Sequence, residues 1–190
     1  MRIIGGKWRG LKLAELGAGD ASAHLRPTSD RVREAIFNLL INAHDVALDG
    51  ARVCDLFAGT GALGLEALSR GAQHCIFVED GAKSRAILRQ NIEKMKVMGV
   101  TKLLRRDATQ LGQHRGSPVD LVFLDPPYGL GLGERALASA RAGGWLAPGA
   151  VLGWEEASPQ PAPEGFELID QRRYGNTTVT VLRYKHADAP

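Results

Sequence analysis

The chain has two cysteines, few aromatic residues and no long apolar run, and each shortage excludes something. Cys54 and Cys75 alone in 190 residues make neither a disulfide framework nor a metal cluster. Both lie in apolar runs, which reads as plain buried thiols in a reducing, cytoplasmic setting, with no metal expected. No stretch reaches the roughly 18 uncharged apolar residues that a membrane-spanning helix needs. The opening Met1-Arg2-Ile3-Ile4-Gly5-Gly6-Lys7 has no apolar core of the secretory kind. Nor is there an overall excess of one charge, the net value being only +3. With 44% hydrophobic and 24% charged residues the chain has the makings of an ordinary globular core, so disorder of its body is not expected. Its length suits one domain with a small appendage.

The charge is unevenly spread. Residues 1–33 carry seven Lys/Arg against three acids, and residues 83–106 carry eight against Glu93 alone. Residues 107–170 reverse the balance, with three against nine. Such a dipolar distribution fits a polyanionic partner, although Lys and Arg that merely solvate helix faces would look the same.

Periodicity divides the chain at about residue 45. Arg2-Ile3-Ile4 and Leu11-Lys12-Leu13 flank turn residues and read as a short hairpin. Gly17 to Ser22 reads as a loop; Thr28-Ser29-Asp30 offers helix N-caps. Val32, Ala35, Ile36, Leu39 and Leu40 then fall on one helical face. From residue 51, apolar strand candidates alternate with helical patterns: 52–57, 75–78, 102–104, 119–124 and 150–152 against helices at 60–70, 83–98 and 132–142. Alternation of this kind means βαβ units and a mostly parallel sheet. Ser158-Pro159-Gln160-Pro161-Ala162-Pro163 reads as a connector. Residues 166–169 and 178–182 bracket Gly175-Asn176 as a closing antiparallel hairpin.

Ligands in such sheets sit at the carboxyl ends of the strands. The first strand runs into Asp55-Leu56-Phe57-Ala58-Gly59-Thr60-Gly61-Ala62-Leu63-Gly64, a G-x-G-x-x-G turn that brings backbone close to a ligand. Alone it could be a tight strand-to-helix turn. The second strand ends in Glu79, placed to accept both hydroxyls of a ribose, and the third in Asp107-Ala108, suited to an adenine amino group. Three strand-end acids in this order point to an adenosine-containing ligand. Asp55 would repel a pyrophosphate and attract an ammonium group, which favours S-adenosylmethionine over NAD. The fourth strand ends in Asp125-Pro126-Pro127-Tyr128. A diproline supplies no amide donors, so Asp125 and the Pro126 carbonyl can both accept from one exocyclic amine. Tyr128 offers a ring for stacking a base, worth about 1–3 kcal/mol.

These residues carry a family likeness. Asp55 to Gly64 resembles motif I of class I S-adenosylmethionine-dependent methyltransferases, and Asp125 to Tyr128 resembles the [D/N/S]-P-P-[Y/F/W] motif of amino-group methyltransferases. More narrowly, Arg2 to Gly10, Arg26 to Asn38 and Arg173-Tyr174-Gly175-Asn176-Thr177 resemble the RsmD family, whose members methylate N2 of a guanine in 16S ribosomal RNA. The resemblance covers about 180 residues. It implies a Rossmann-like doubly wound, mostly parallel seven-stranded sheet with an antiparallel C-terminal hairpin. It also implies two parts: an RNA-facing hairpin and helix over residues 1–45, and a methyltransferase domain over 46–186. Asp55, Phe57, Gly59 and Gly61 would then line the methionine end of S-adenosylmethionine, Glu79 its ribose, and Asp107 and Ala108 its adenine. Asp125, Pro126, Pro127 and Tyr128 would hold the guanine. Arg2, Lys7, Trp8, Arg9, Arg26, Thr28 and Arg33 would be candidate RNA contacts. The partner implied is 16S ribosomal RNA within an assembled small subunit, with no obligate protein partner. Rival readings are an adenine or cytosine amino-methyltransferase, an RNA-binding module with a vestigial fold, and an NAD enzyme.

Overall fold

The structure is a computed structural model that describes residues 1–17 and 29–185. Helix α1 (Asp30–Asn38) starts where the Ser29 hydroxyl accepts from the Val32 amide at 3.2 Å, and it runs into a π-helical turn at Leu39–Ala43. The alternation that follows is β1 (Arg52–Leu56), α2 (Ala62–Ser69), β2 (His74–Val78), α3 (Ala82–Met95), β3 (Thr101–Leu104), β4 (Val119–Leu124), α4 (Leu132–Ala142) and β5 (Leu146–Glu156). The hairpin β6 (Phe166–Tyr174) and β7 (Thr177–Tyr184) closes the chain.

These strands form one seven-stranded sheet in the order β3-β2-β1-β4-β5-β7-β6. The first five are parallel, and β7 pairs antiparallel with both β5 and β6. The expected sheet is therefore present, with β7 inserted between β5 and β6. β1 leads outward to β2 and β3, and the chain then returns to β4 on the other side, so the switch point lies between β1 and β4. The central strands are buried on both faces, as apolar parallel strands must be. Ile36, Phe37 and Leu40 of the first helical segment, Leu65 of α2 and Leu88 of α3 pack with Val53, Phe77 and Phe123 on one face. Ala136, Leu137 and Ala140 of α4 pack with Val122 and Leu152 on the other.

The short N-terminal hairpin is present: the antiparallel Arg2–Lys12 bridge is flanked by the Ile3 amide on the Leu11 carbonyl at 2.9 Å and the Leu13 amide on the Met1 carbonyl at 3.0 Å, while the turn between gives the Ile4 and Gly5 amides to α2. Two expectations need correction. Helix α3 stops at Met95, not Met98: Lys96 turns left-handed (φ 57°) and Met98–Val100 forms a 3-10 turn. Helix α2 starts at Ala62, since Gly61 caps it in the left-handed region. The loop expected over Gly17 to Ser22 lies outside the described residues from 18 onward. No helix among the described residues is long and apolar enough to cross a membrane.

Candidate active site

The carboxyl ends of β1 and β4 bring the motif residues together at the switch point. Beyond β1 the chain turns sharply: Phe57 adopts φ 60°, an uncommon left-handed conformation for an aromatic residue, and Gly59 and Gly61 follow at 56° and 86°. Gly61 has no room for a side chain, because a Cβ there would stand 2.3 Å from Leu88 Cδ1. A Cβ on Gly64 would stand 2.4 Å from Phe77 and 2.7 Å from Cys75 Sγ, so this glycine sets the close seating of α2 on β2. Asp55 is 2% exposed and accepts the Gly64 amide at 2.9 Å. Its carboxylate thus occupies the amino end of α2, where a dinucleotide would need its pyrophosphate. Burial pushes the Asp55 carboxyl well above the usual range; the Gly64 amide opposes this, and the neighbouring Asp125 and Glu79 charges add to it.

Glu79, at the end of β2, accepts the Gly59 amide on one oxygen and the Gly81 amide on the other, both at 2.7 Å. Each oxygen keeps one acceptor site, the arrangement two vicinal hydroxyls require. Burial raises the Glu79 carboxyl while the two amides pull it back. Beside it opens a cleft of roughly 460 Å³, within the range of small-ligand sites. Phe57, Val78, Ala108 and Pro127 give it apolar walls, and Glu79 and Asp107 stand at its polar edge. Asp107 caps the 3-10 turn Ala108–Gln110 through Oδ1, which takes both the Thr109 amide and hydroxyl. An apolar slot for a flat ring, an acceptor pair for a ribose, and a buried Asp55 carboxyl near Asp125 and Glu79 for a cationic tail fit S-adenosylmethionine.

The fourth strand end completes the site. Pro126 is buried and Tyr128 is 38% exposed beside it. The Tyr128 hydroxyl lies 3.1 Å from Thr177 Oγ1 at the β6–β7 turn. Burial, opposed by this hydrogen bond, pushes the Tyr128 phenol up to about 12, so it stays neutral. The turn itself is held from below: buried Glu156 accepts the Gly129 amide at 3.1 Å and its neighbour Ala157 at 2.9 Å. Thr177 and Glu156 were not among the expected site residues. Glu156 ends the parallel strand β5 at the same edge of the sheet, while Thr177 reaches the site only through the antiparallel hairpin.

The expected N-terminal contacts divide. Arg2, Lys7 and Arg9 are exposed. Trp8 is half-buried against the core, with Lys7 Nζ 4.7 Å over its ring. Arg33 is a correction: it is fully buried, 2.9 Å from Asp30 and 3.6 Å from Glu66, and presents no surface to an RNA. Arg26 and Thr28 lie outside the described residues. What the sequence left unseen is Glu66. This buried carboxylate also takes Arg70 at 2.8 Å and the amides of Ile4 and Gly5, each at 2.8 Å. Ser69 and Asn91 add hydrogen bonds to Trp8 and Ala14, so the N-terminal segment is fastened to α2 and α3.

Comparison with known proteins agrees with this geometry. The family model described as Conserved hypothetical protein 95 matches residues 1–183. Ribosomal RNA small subunit methyltransferase D of Escherichia coli strain K12 is 42% identical over 153 residues, 80% of this chain and 72% of the relative. The protein of the same name from Haemophilus influenzae is 35% identical over 180 residues, 92% of this chain and 89% of the relative. The solved structure of yhhF from Escherichia coli, by its own description a candidate methyltransferase, superposes with a TM-score of 0.81 at 32% identity, covering 97% of this chain and 98% of that one. On motif, fold and sequence together, the chain belongs to the RsmD family, Conserved hypothetical protein 95.

Proposed function

We propose that the protein transfers a methyl group from S-adenosylmethionine to the exocyclic N2 amine of a guanine in 16S ribosomal RNA, with the small ribosomal subunit as the particle it acts on. The observation that carries this reading is the juxtaposition of the Asp125-Pro126-Pro127-Tyr128 turn with the adenosine-shaped cleft, whose wall Pro127 forms. When bound, S-adenosylmethionine supplies an electrophilic methyl on a cationic sulfur. Asp55, Glu79 and Asp125 concentrate negative charge where that cation would lie, and the same carboxylates disfavour a pyrophosphate.

The protein's part is chiefly positioning. Asp125 and the Pro126 carbonyl accept the two N2 hydrogens and aim the nitrogen lone pair at the cleft. As the N–C bond forms, the S–C electron pair stays with sulfur, and the surplus proton leaves the nitrogen to Asp125 or to water. Holding nucleophile and electrophile in line supplies most of the rate, and no metal is called for. Tyr128, steadied by Thr177, stacks on the base, whose extrusion costs a few kcal/mol in a duplex and less in a loop. Residues 1–45 serve as the RNA-facing extension, with Arg2, Lys7, Trp8 and Arg9 as its contacts.

The test is methyl transfer from labelled S-adenosylmethionine to small ribosomal subunits, naked 16S RNA and duplex DNA, followed by digestion to nucleosides. Label in N2-methylguanosine from the subunit is the expected result. Label in DNA or in methyladenosine would overturn the substrate while keeping the amine chemistry.

A further inference from the structure

The crossovers β1–β2, β2–β3 and β4–β5 each contain an α-helix, but β3–β4 has only the 3-10 turn Ala108–Gln110 and an irregular segment, residues 111–118. The sheet face beneath is left as a groove of roughly 890 Å³. Arg52 and His74 are register partners at the starts of β1 and β2, and Lys102 lies on β3 next to them. Arg106, His114 and Arg115 complete the lining, which holds no acidic residue. Among the described residues, none of Arg52, Lys102 or Arg115 is in an ion pair; Asp120 takes only the main-chain amide of Arg52. Arg52 Nε and His74 Nδ1 are shielded from solvent with no hydrogen-bond partner. Burial, then Arg52 and Lys102, hold the His74 imidazole below its ordinary value, a sign of how closely the cations crowd. Like charges gathered in a concave site without a counter-charge call for a bound anion.

We propose that this groove binds the phosphodiester backbone of the substrate RNA, as a contact separate from the N-terminal segment and from the target-base turn. The inference rests on the RNA-methylating reading above. Two features favour a chain over a single small anion. The span from Lys102 to Arg106 is up to about 13 Å of extended backbone, longer than one phosphate. Arg106 also lines the adenosine cleft, so the groove reaches the edge of the donor site. Lys102 and Arg106, at the end of the basic run over residues 83–106, thereby gain a shared use.

The test is the double variant Lys102→Glu/Arg115→Glu, both positions being exposed. Arg89→Glu/Lys94→Glu on the exposed side of α3 makes the same charge change elsewhere. Each is assayed for binding of a labelled 16S RNA fragment over a range of salt, for KM with small subunits, and for donor binding. The groove variant should lose at least tenfold in RNA affinity and KM while still binding the donor. Its slope of log affinity against log salt should fall by about 1.4–1.8, the loss of two phosphate contacts. The α3 variant should bind RNA like the parent. Equal losses in both variants, or unchanged affinity and salt slope in the groove variant, would overturn the groove while leaving the methyltransferase reading intact. An unmodified protein that methylates no small-subunit RNA would overturn both.

Discussion

Asp55 shows how one buried carboxylate ties stability to ligand binding. Its folded-state acidity is weakened mainly by burial, so the fold favours the neutral form. A carboxyl raised in the folded state stabilises the protein fully below the unfolded value of about 3.9, and that contribution is lost as pH rises through the raised folded value. The contribution of Asp55 to stability should accordingly fall as pH climbs above about 4, Glu79 acting in the same sense. A cationic donor reverses the preference by favouring the carboxylates. Donor binding should then release protons in that range, seen by calorimetry in two buffers of different ionisation enthalpy; proton uptake would contradict it. Asp55, Glu79 and Asp125 were legible in sequence because a short apolar strand ends visibly and the next acid is its strand-end residue. Arg33 was not. Its charge fits a surface helix, and only the fold reveals that Glu66, on another helix, draws it into the interior.

Helix α2 seats the turn after β1, and α3 ends on a strained residue. In α2, Gly64 seats the helix on β2 and gives its amide to Asp55. Gly64→Ala must push the helix outward, at a cost of about 1–3 kcal/mol by overpacking, and must weaken donor binding because the Asp55 contact moves with it. Denaturant unfolding and donor titration check the two effects separately; an unchanged donor affinity would show that the loop does not follow the helix. In α3, Lys96 caps the helix at φ 57°, ψ 40°. Lys96→Gly removes a left-handed penalty and should raise stability by about 0.5–1 kcal/mol with no effect on donor binding. The strands were legible as apolar runs, and the closing hairpin from its Gly175-Asn176 turn. The N-terminal hairpin was legible too, but its seat was not: the Ile4, Gly5, Lys7 and Trp8 amides find carboxylate, carbonyl and hydroxyl oxygens on α2, and no local pattern announces partners some sixty residues away.

Across the whole molecule, the N-terminal segment, α1 and α2 meet at Glu66, which takes Arg33, Arg70 and two amides in a site with no exposure. Glu66→Ala leaves buried Arg33 with Asp30 at 2.9 Å as its one carboxylate partner and strips Arg70 and the Ile4 and Gly5 amides of theirs, so global stability should fall by about 3–5 kcal/mol in denaturant. A loss under about 1 kcal/mol would mean that the segment is fastened elsewhere. The sheet order places β1 beside β4, and this adjacency brings the Asp55–Gly64 and Asp125–Tyr128 turns, whose first residues are 70 apart in sequence, to one edge. On the proposed function, Asp125 presents the accepting amine to that edge and does not hold the donor. Single-turnover methyl transfer to small subunits by Asp125→Ala, alongside its donor affinity, tests this most directly. The expected result is a rate at least about 100-fold lower with donor affinity within a few-fold of the parent. Near-normal transfer, or a loss that follows donor affinity alone, would contradict it.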